Sequence, residues 1–178
     1  SSMARKKPAP KRAAPPDSPH AEPLYWLLKS EPDVFGIDDL AQAKGQTTCW
    51  DGVRNYQARN YLRDSMKLGD LVLFYHSNAR PPGVAGIARV VREGYPDSTA
   101  FDPRHDHYDP KSKREEPTWM MVDIQFVEAF PRVLGLPELR KIPGLSQMVL
   151  LQRGSRLSVQ PVRPSEFELI VDAARRNA

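Results

Sequence analysis

Most of the polar and aromatic side chains able to hold a ligand fall into four short segments: WLLKSEP at residues 26–32, CWDGVRNYQAR at 49–59, FYHSN at 74–78 and LSV at 157–159. Their mixture suits recognition of a planar heterocycle, which requires a flat apolar surface for stacking and fixed donors and acceptors for its edge. Trp50 is the first candidate platform, because the sharp Asp51-Gly52 pair that follows leaves its ring at the start of a helix, with Val53 beside it. Trp26 is the second, although its place on an apolar strand favours the core. Ser30 donates and accepts, ionised Glu31 only accepts, and Lys29 can pair with a phosphate. Arg54 and Asn55 fall on the expected first helical turn, where free backbone N–H groups also favour an anion. The Asn55 amide suits a base edge, and Arg59, one turn on, suits a phosphate. Tyr75 and His76 end a strand, so alternation turns only one of them toward a given face. Ser77 belongs to the following turn, and Ser158 and Val159 can offer backbone groups to a pocket floor.

Two other groupings invite catalytic readings. Cys49 with His76 resembles a thiol and its base, but a lone Cys in an apolar-flanked segment reads as packing. His105, Asp106, His107 and Asp109 are ligand types for a transition metal, yet in a proline-bounded loop they read as a solvated turn. The paired cysteines of a zinc deaminase are missing from the sequence. No Gly-rich phosphate loop appears. The expectation is a protein without catalytic activity, resident metal or cofactor.

These segments need a scaffold, and 178 residues suffice for one domain with its own core. Residues 24–29, 71–76, 84–91 and 119–127 read as strands by apolar content and alternation. Residues 157–162 read as a short edge piece because of Pro161. Asp51–Met66 reads as the best helix, capped at Asp51 or Gly52, with Ala58, Leu62 and Met66 on one face. Short helices are expected near residues 38–44, 136–141 and 147–152. A closing helix over 164–176 carries Pro164 near its start. Residues 94–117 are polar and hold four prolines, a long loop of the kind that usually carries function. The mixture without regular βαβ alternation predicts an α+β domain or a small barrel with helices attached.

The charge is uneven. The chain carries 26 basic and 22 acidic residues, a net charge of +4. Residues 1–23 contribute +3 of this and hold six of the 18 prolines, so they are expected to form a disordered basic tail outside a single domain at 24–174. Residues 24–174 come to −1, which argues against a wide phosphate-coating surface and allows a local basic rim. One cysteine excludes an internal disulfide and cysteine-based zinc frameworks. With no membrane span or secretory leader evident, the expected setting is intracellular: a bacterial cytoplasm or, in a eukaryote, the nucleus. A monomer without an obligate protein partner is the default.

The stretch TTCWDGVRNYQARN at 47–60, together with YHSN at 75–78, YDP at 108–110 and MVDIQFV at 121–127, resembles the EVE domain over about residues 25–172. The resemblance implies a PUA-like fold, a small curved β-barrel flanked by short helices. It also implies a binding module for a modified, flipped-out base, with modified cytosine in DNA favoured. The alternatives are an RNA module for a modified base or tRNA feature, and, further off, a small-molecule pocket or a hydrolase.

Overall fold

The structure is a computed structural model and describes residues 23–154 and 156–176. The expectation for residues 1–23 falls, apart from Pro23, outside the described residues. Six strands form one mixed sheet: β1 (Tyr25–Ser30), β2 (Thr47–Trp50), β3 (Leu71–His76), β4 (Gly83–Pro96), β5 (Met120–Gly135) and β6 (Val159–Val162). Their order is β2-β5-β4-β3-β1-β6, with β1 and β3 parallel and every other pair antiparallel. The helices are α1 (Pro32–Phe35), α2 (Ile37–Gln42), α3 (Tyr56–Asn60, widening into a π turn over Tyr61–Ser65), α4 (Leu136–Arg140) and α5 (Pro164–Arg176). The fold is α+β, as expected.

Strand alternation sorts the core onto two faces. Trp26 and Leu28 of β1, with Val72 and Phe74 of β3, pack on the face covered by α2 and α3. Leu27, Leu73 and Tyr75 point the other way, into a second core with α4 and α5. Both faces are therefore covered, which explains why β1 and β3 are nearly continuous apolar runs.

The sheet curves without closing into a barrel. Strands β2 and β6 are its two edges, and no ladder joins them among the described residues. Register shifts along β4 and β5 mark where the sheet bends. At one of them Gly86 lies so close to β5 that a Cβ there would stand 2.4 Å from the Glu128 carbonyl oxygen. The curl leaves an open mouth between β2 on one side and the β1/β6 pair on the other.

Asp70 locks the entry of the chain into this sheet. Its fully buried carboxylate accepts from the Leu24 amide, the Trp26 indole N–H and the Lys67 amide, each at 3.0 Å. The expected cost of Asp70→Ala is about 2–4 kcal/mol, because several buried donors lose their acceptor together. Urea unfolding checks this: the midpoint falls while the denaturant slope stays unchanged.

Candidate nucleic-acid interface

The mouth of the curled sheet holds a solvent-open cleft of about 640 Å³. Its floor and one wall come from the end of β1 and the turn after it, namely Lys29, Ser30 and Glu31, with Ser77 and Ser158 beside them. Thr48, Cys49 and Trp50 of β2 and the loop Asp51–Arg54 form the opposite wall, and Val34 and Phe35 of α1 and the ring of His107 complete the rim. Each segment enters at the end of a regular element, where a rigid scaffold can present side chains without straining itself.

The Asp51–Asn55 loop is not the helical turn expected there. Gly52 has φ of +78°, a left-handed conformation that costs glycine little. A Cβ at this position would also meet the His107 ring at 2.5 Å. The helix starts at Tyr56 and its cap is Asn55, three or four residues later than the expected Gly52 or Asp51, with the Asn55 side chain accepting from the Ala58 amide at 3.0 Å. The carboxylate that holds this loop is Asp97, at the end of β4 and fully buried. It accepts from the Gly52 amide at 2.8 Å and Arg54 Nη1 at 3.0 Å, and from the Thr99 amide at 2.9 Å and hydroxyl at 2.5 Å. Burial alone would raise its pKa. The hydrogen bonds from Thr99, Gly52 and Arg54 outweigh that and hold it below the usual carboxylate range.

Of the residues singled out in the sequence, Lys29, Ser30, Glu31, Trp50, Val53, Arg54, Ser77 and Ser158 line this one cleft. Trp50 forms a wall, 8% exposed and edge-on to Phe74 with ring centroids 5.5 Å apart. The Ser30 hydroxyl donates to the Phe35 carbonyl at 2.5 Å, so toward the cleft it can only accept. Lys29 has its pKa lowered by burial and has no carboxylate within salt-bridge distance among the described residues. Its amide donates to the Ser158 carbonyl at 2.9 Å, which takes up one backbone group expected at the pocket floor.

Other candidates lie elsewhere, each for a physical reason. Trp26 is buried behind the sheet's first face with its indole N–H bound to Asp70. Tyr75 faces the opposite core, beneath the Lys29 ammonium at 5.9 Å. His76 shares the Phe74 face, but its Nε2 accepts from the Ile37 amide at 3.1 Å, tying it to α2. Val159 is core. Asn55 spends its side-chain oxygen on the helix cap. Arg59 donates to the Thr118 carbonyl at 2.6 Å and lies over the Tyr56 ring, so it does not line the cleft. Arg54 lines the cleft, but its guanidinium is committed to Asp97 and the His107 carbonyl.

Sequence reasoning missed Val34, Phe35, Thr48, Asp51, Gly52 and His107 as cleft residues. Val34 carried a usable signal: it is an aliphatic residue in the short stretch between Pro32-Asp33 and Gly36, and it is 79% exposed on the rim. Cys49 is exposed on the cleft wall, not packed as expected. Partial burial and the nearby Asp51, Asp123 and Asp97 push its thiol pKa up, the opposite of what a nucleophile needs.

The described helices include none long and apolar enough to cross a membrane. A model of the EVE domain matches residues 24–173. Thymocyte nuclear protein 1 of Homo sapiens is 48% identical over 164 residues, spanning 83% of this chain and 72% of that protein. A hypothetical protein from Leishmania major superposes with a TM-score of 0.82 at 50% identity, over 88% of this chain and 97% of its own. Human THYN1, solved in complex with 5-methylcytosine-containing DNA, superposes with a TM-score of 0.79 at 48% identity, over 85% of this chain and 97% of that one. The match spans the curled sheet and every segment lining its mouth, and the chain belongs to the EVE domain family.

Proposed function

We propose that the protein is a non-catalytic DNA-binding module whose cleft receives a single modified cytosine turned out of the duplex. The observation that carries this reading is the cleft itself. Its volume lies in the range of small-ligand sites, and an aromatic wall, a few fixed polar groups and Lys29 line it. Trp50 supplies the stacking face, opposite the apolar rim of Val34 and Phe35. The Ser30 oxygen, restricted to accepting, complements the amino donor of cytosine, which thymine lacks. Lys29 neutralises a flanking phosphate. Arg54 serves the site by fixing the Asp51–Asn55 loop. The methylcytosine-DNA complex of the human relative supports the same ligand class here. The raised thiol pKa of Cys49 supports a binding role over thiol catalysis.

The near-neutral charge of residues 24–174 favours a short footprint. Wild-type protein is therefore titrated at about 0.15 M salt with matched duplexes carrying cytosine, 5-methylcytosine, 5-hydroxymethylcytosine or N6-methyladenine, and with the corresponding RNA. One modified-cytosine DNA is expected to bind tightest, with a salt slope corresponding to only about two or three phosphates. Equal affinity for every oligonucleotide, falling steeply with salt, would overturn the reading. A preference for modified RNA would move the ligand from DNA to RNA.

A further inference from the structure

The loop between β4 and β5 folds back over the cleft wall. There the His107 carbonyl accepts from Arg54 Nε at 3.2 Å and Nη2 at 2.7 Å, while its ring lies against Gly52. This docking brings Asp51, from a segment more than fifty residues away, to two histidines of the loop. One ligand atom each from Asp51, His105 and His107 all fall within 4.8 Å of one another. None of the three side chains makes an ion pair among the described residues. Of the two carboxylates that the sequence suggests for this loop, Asp106 and Asp109, the second is spent elsewhere: it accepts from the Trp119 indole at 2.6 Å and the Lys111 amide at 3.0 Å.

A second observation concerns how His107 is held. The single proton of the Thr99 hydroxyl is donated to Asp97, so the oxygen meets His107 Nδ1, 3.5 Å away, as an acceptor. An imidazole protonated at Nδ1 satisfies that contact and leaves the Nε2 lone pair for a ligand. A chain of carboxylate, hydroxyl and imidazole is the outer-shell arrangement that orients a metal-binding histidine.

We propose that Asp51, His105 and His107 form a site for one divalent transition-metal ion of borderline softness, such as Zn²⁺, at the mouth of the cleft. Two imidazoles and one carboxylate suit such an ion and disfavour Mg²⁺, which prefers an all-oxygen shell. With donor distances of about 2.0–2.2 Å, the ligand atoms close by about 1 Å. Rotation of three partly exposed side chains supplies that movement. His105 Nδ1 accepts the His107 amide proton at 3.0 Å, so coordination through this nitrogen frees that amide. The remaining coordination positions stay open to solvent. The site stands independently of the base-binding reading.

The test is calorimetric titration of the full chain with zinc chloride, with magnesium chloride as control, alongside amide NMR of the wild type. One zinc per chain is expected, with no response to magnesium and a large shift of the His107 amide signal. His105→Ala and Asp51→Asn are each expected to weaken zinc binding by at least about tenfold, while His20→Ala leaves it unchanged. Unmoved His107 signals at saturating zinc would overturn the proposal. So would zinc affinity that survives His105→Ala, or that disappears in His20→Ala and so belongs to the N-terminal segment.

Discussion

Asp97→Ala is expected to destabilise the domain by about 3 kcal/mol or more and to abolish ligand binding in the fraction that remains folded. The carboxylate is fully buried and accepts four hydrogen bonds, two from the Asp51–Asn55 loop and two from Thr99. Removing one partner of a buried ion pair costs about 3–5 kcal/mol when the other is also buried. Arg54 keeps a quarter of its side-chain surface exposed and retains the His107 carbonyl, which places the cost at the lower end. The loss reaches the site because Asp97 ties both the left-handed Gly52 and Arg54 to the end of β4. Without it, the Trp50 wall and the His107 rim lose their common anchor.

The same carboxylate gives the prediction a pH signature. Its pKa is depressed in the folded protein relative to an unfolded value of about 3.9. The deprotonated form therefore stabilises the fold, and the contribution is complete above the unfolded pKa and lost as pH falls through the folded one. The stability gap between wild type and Asp97→Asn, measured by urea unfolding, is expected to be constant from pH 5 to 7 and to narrow below about pH 4. A gap that widens on acidification would contradict this assignment of the charge.

Much of the scaffold is legible in local sequence pattern. Tyr25–Ser30 and Leu71–His76 are apolar runs because both faces of their strands are buried, and α5 shows its apolar stripe at helical spacing. Features that local pattern does not reveal are decided by partners distant in sequence. Strand β2 is four residues long, TTCW, and lies at a sheet edge, so neither apolar content nor alternation marks it; its pairing with β5 makes it a strand. The 51–55 segment has good helix-start chemistry, yet a carboxylate more than forty residues away holds it as an irregular loop. Sheet closure is equally invisible in the sequence, because it depends on whether β2 meets β6 across the cleft.

The candidate site follows the same division. Motif chemistry locates Lys29, Ser30, Trp50 and Arg54, because unusual polar and aromatic residues cluster where strands end. It ranks Trp50 ahead of Trp26, whose apolar strand favours the core, without revealing the partner that sets the two apart in the fold. The distinction comes from Asp70, which captures the Trp26 indole N–H. His107 reaches the rim through Arg54, whose guanidinium the sequence suggests for phosphate and the fold spends on a loop carbonyl.

Trp50 carries the stacking role, and testing that role needs a variant that still folds. Trp50→Ala would leave a large hole beside Phe74, at about 3–5 kcal/mol, so Trp50→Leu is the better choice. Leucine refills part of the wall and removes the flat π face. Base–aromatic stacking contributes about 1–3 kcal/mol, which corresponds to a loss of roughly 5- to 150-fold in affinity. The decisive measurement is the ratio of dissociation constants for two duplexes that differ only in cytosine against 5-methylcytosine, in wild type and Trp50→Leu at the same salt. The predicted result is a clear preference for the modified duplex in wild type that collapses toward unity in the variant, with residual salt-dependent binding retained. An unchanged ratio in a folded Trp50→Leu protein, or a ratio of one in wild type, would contradict the account.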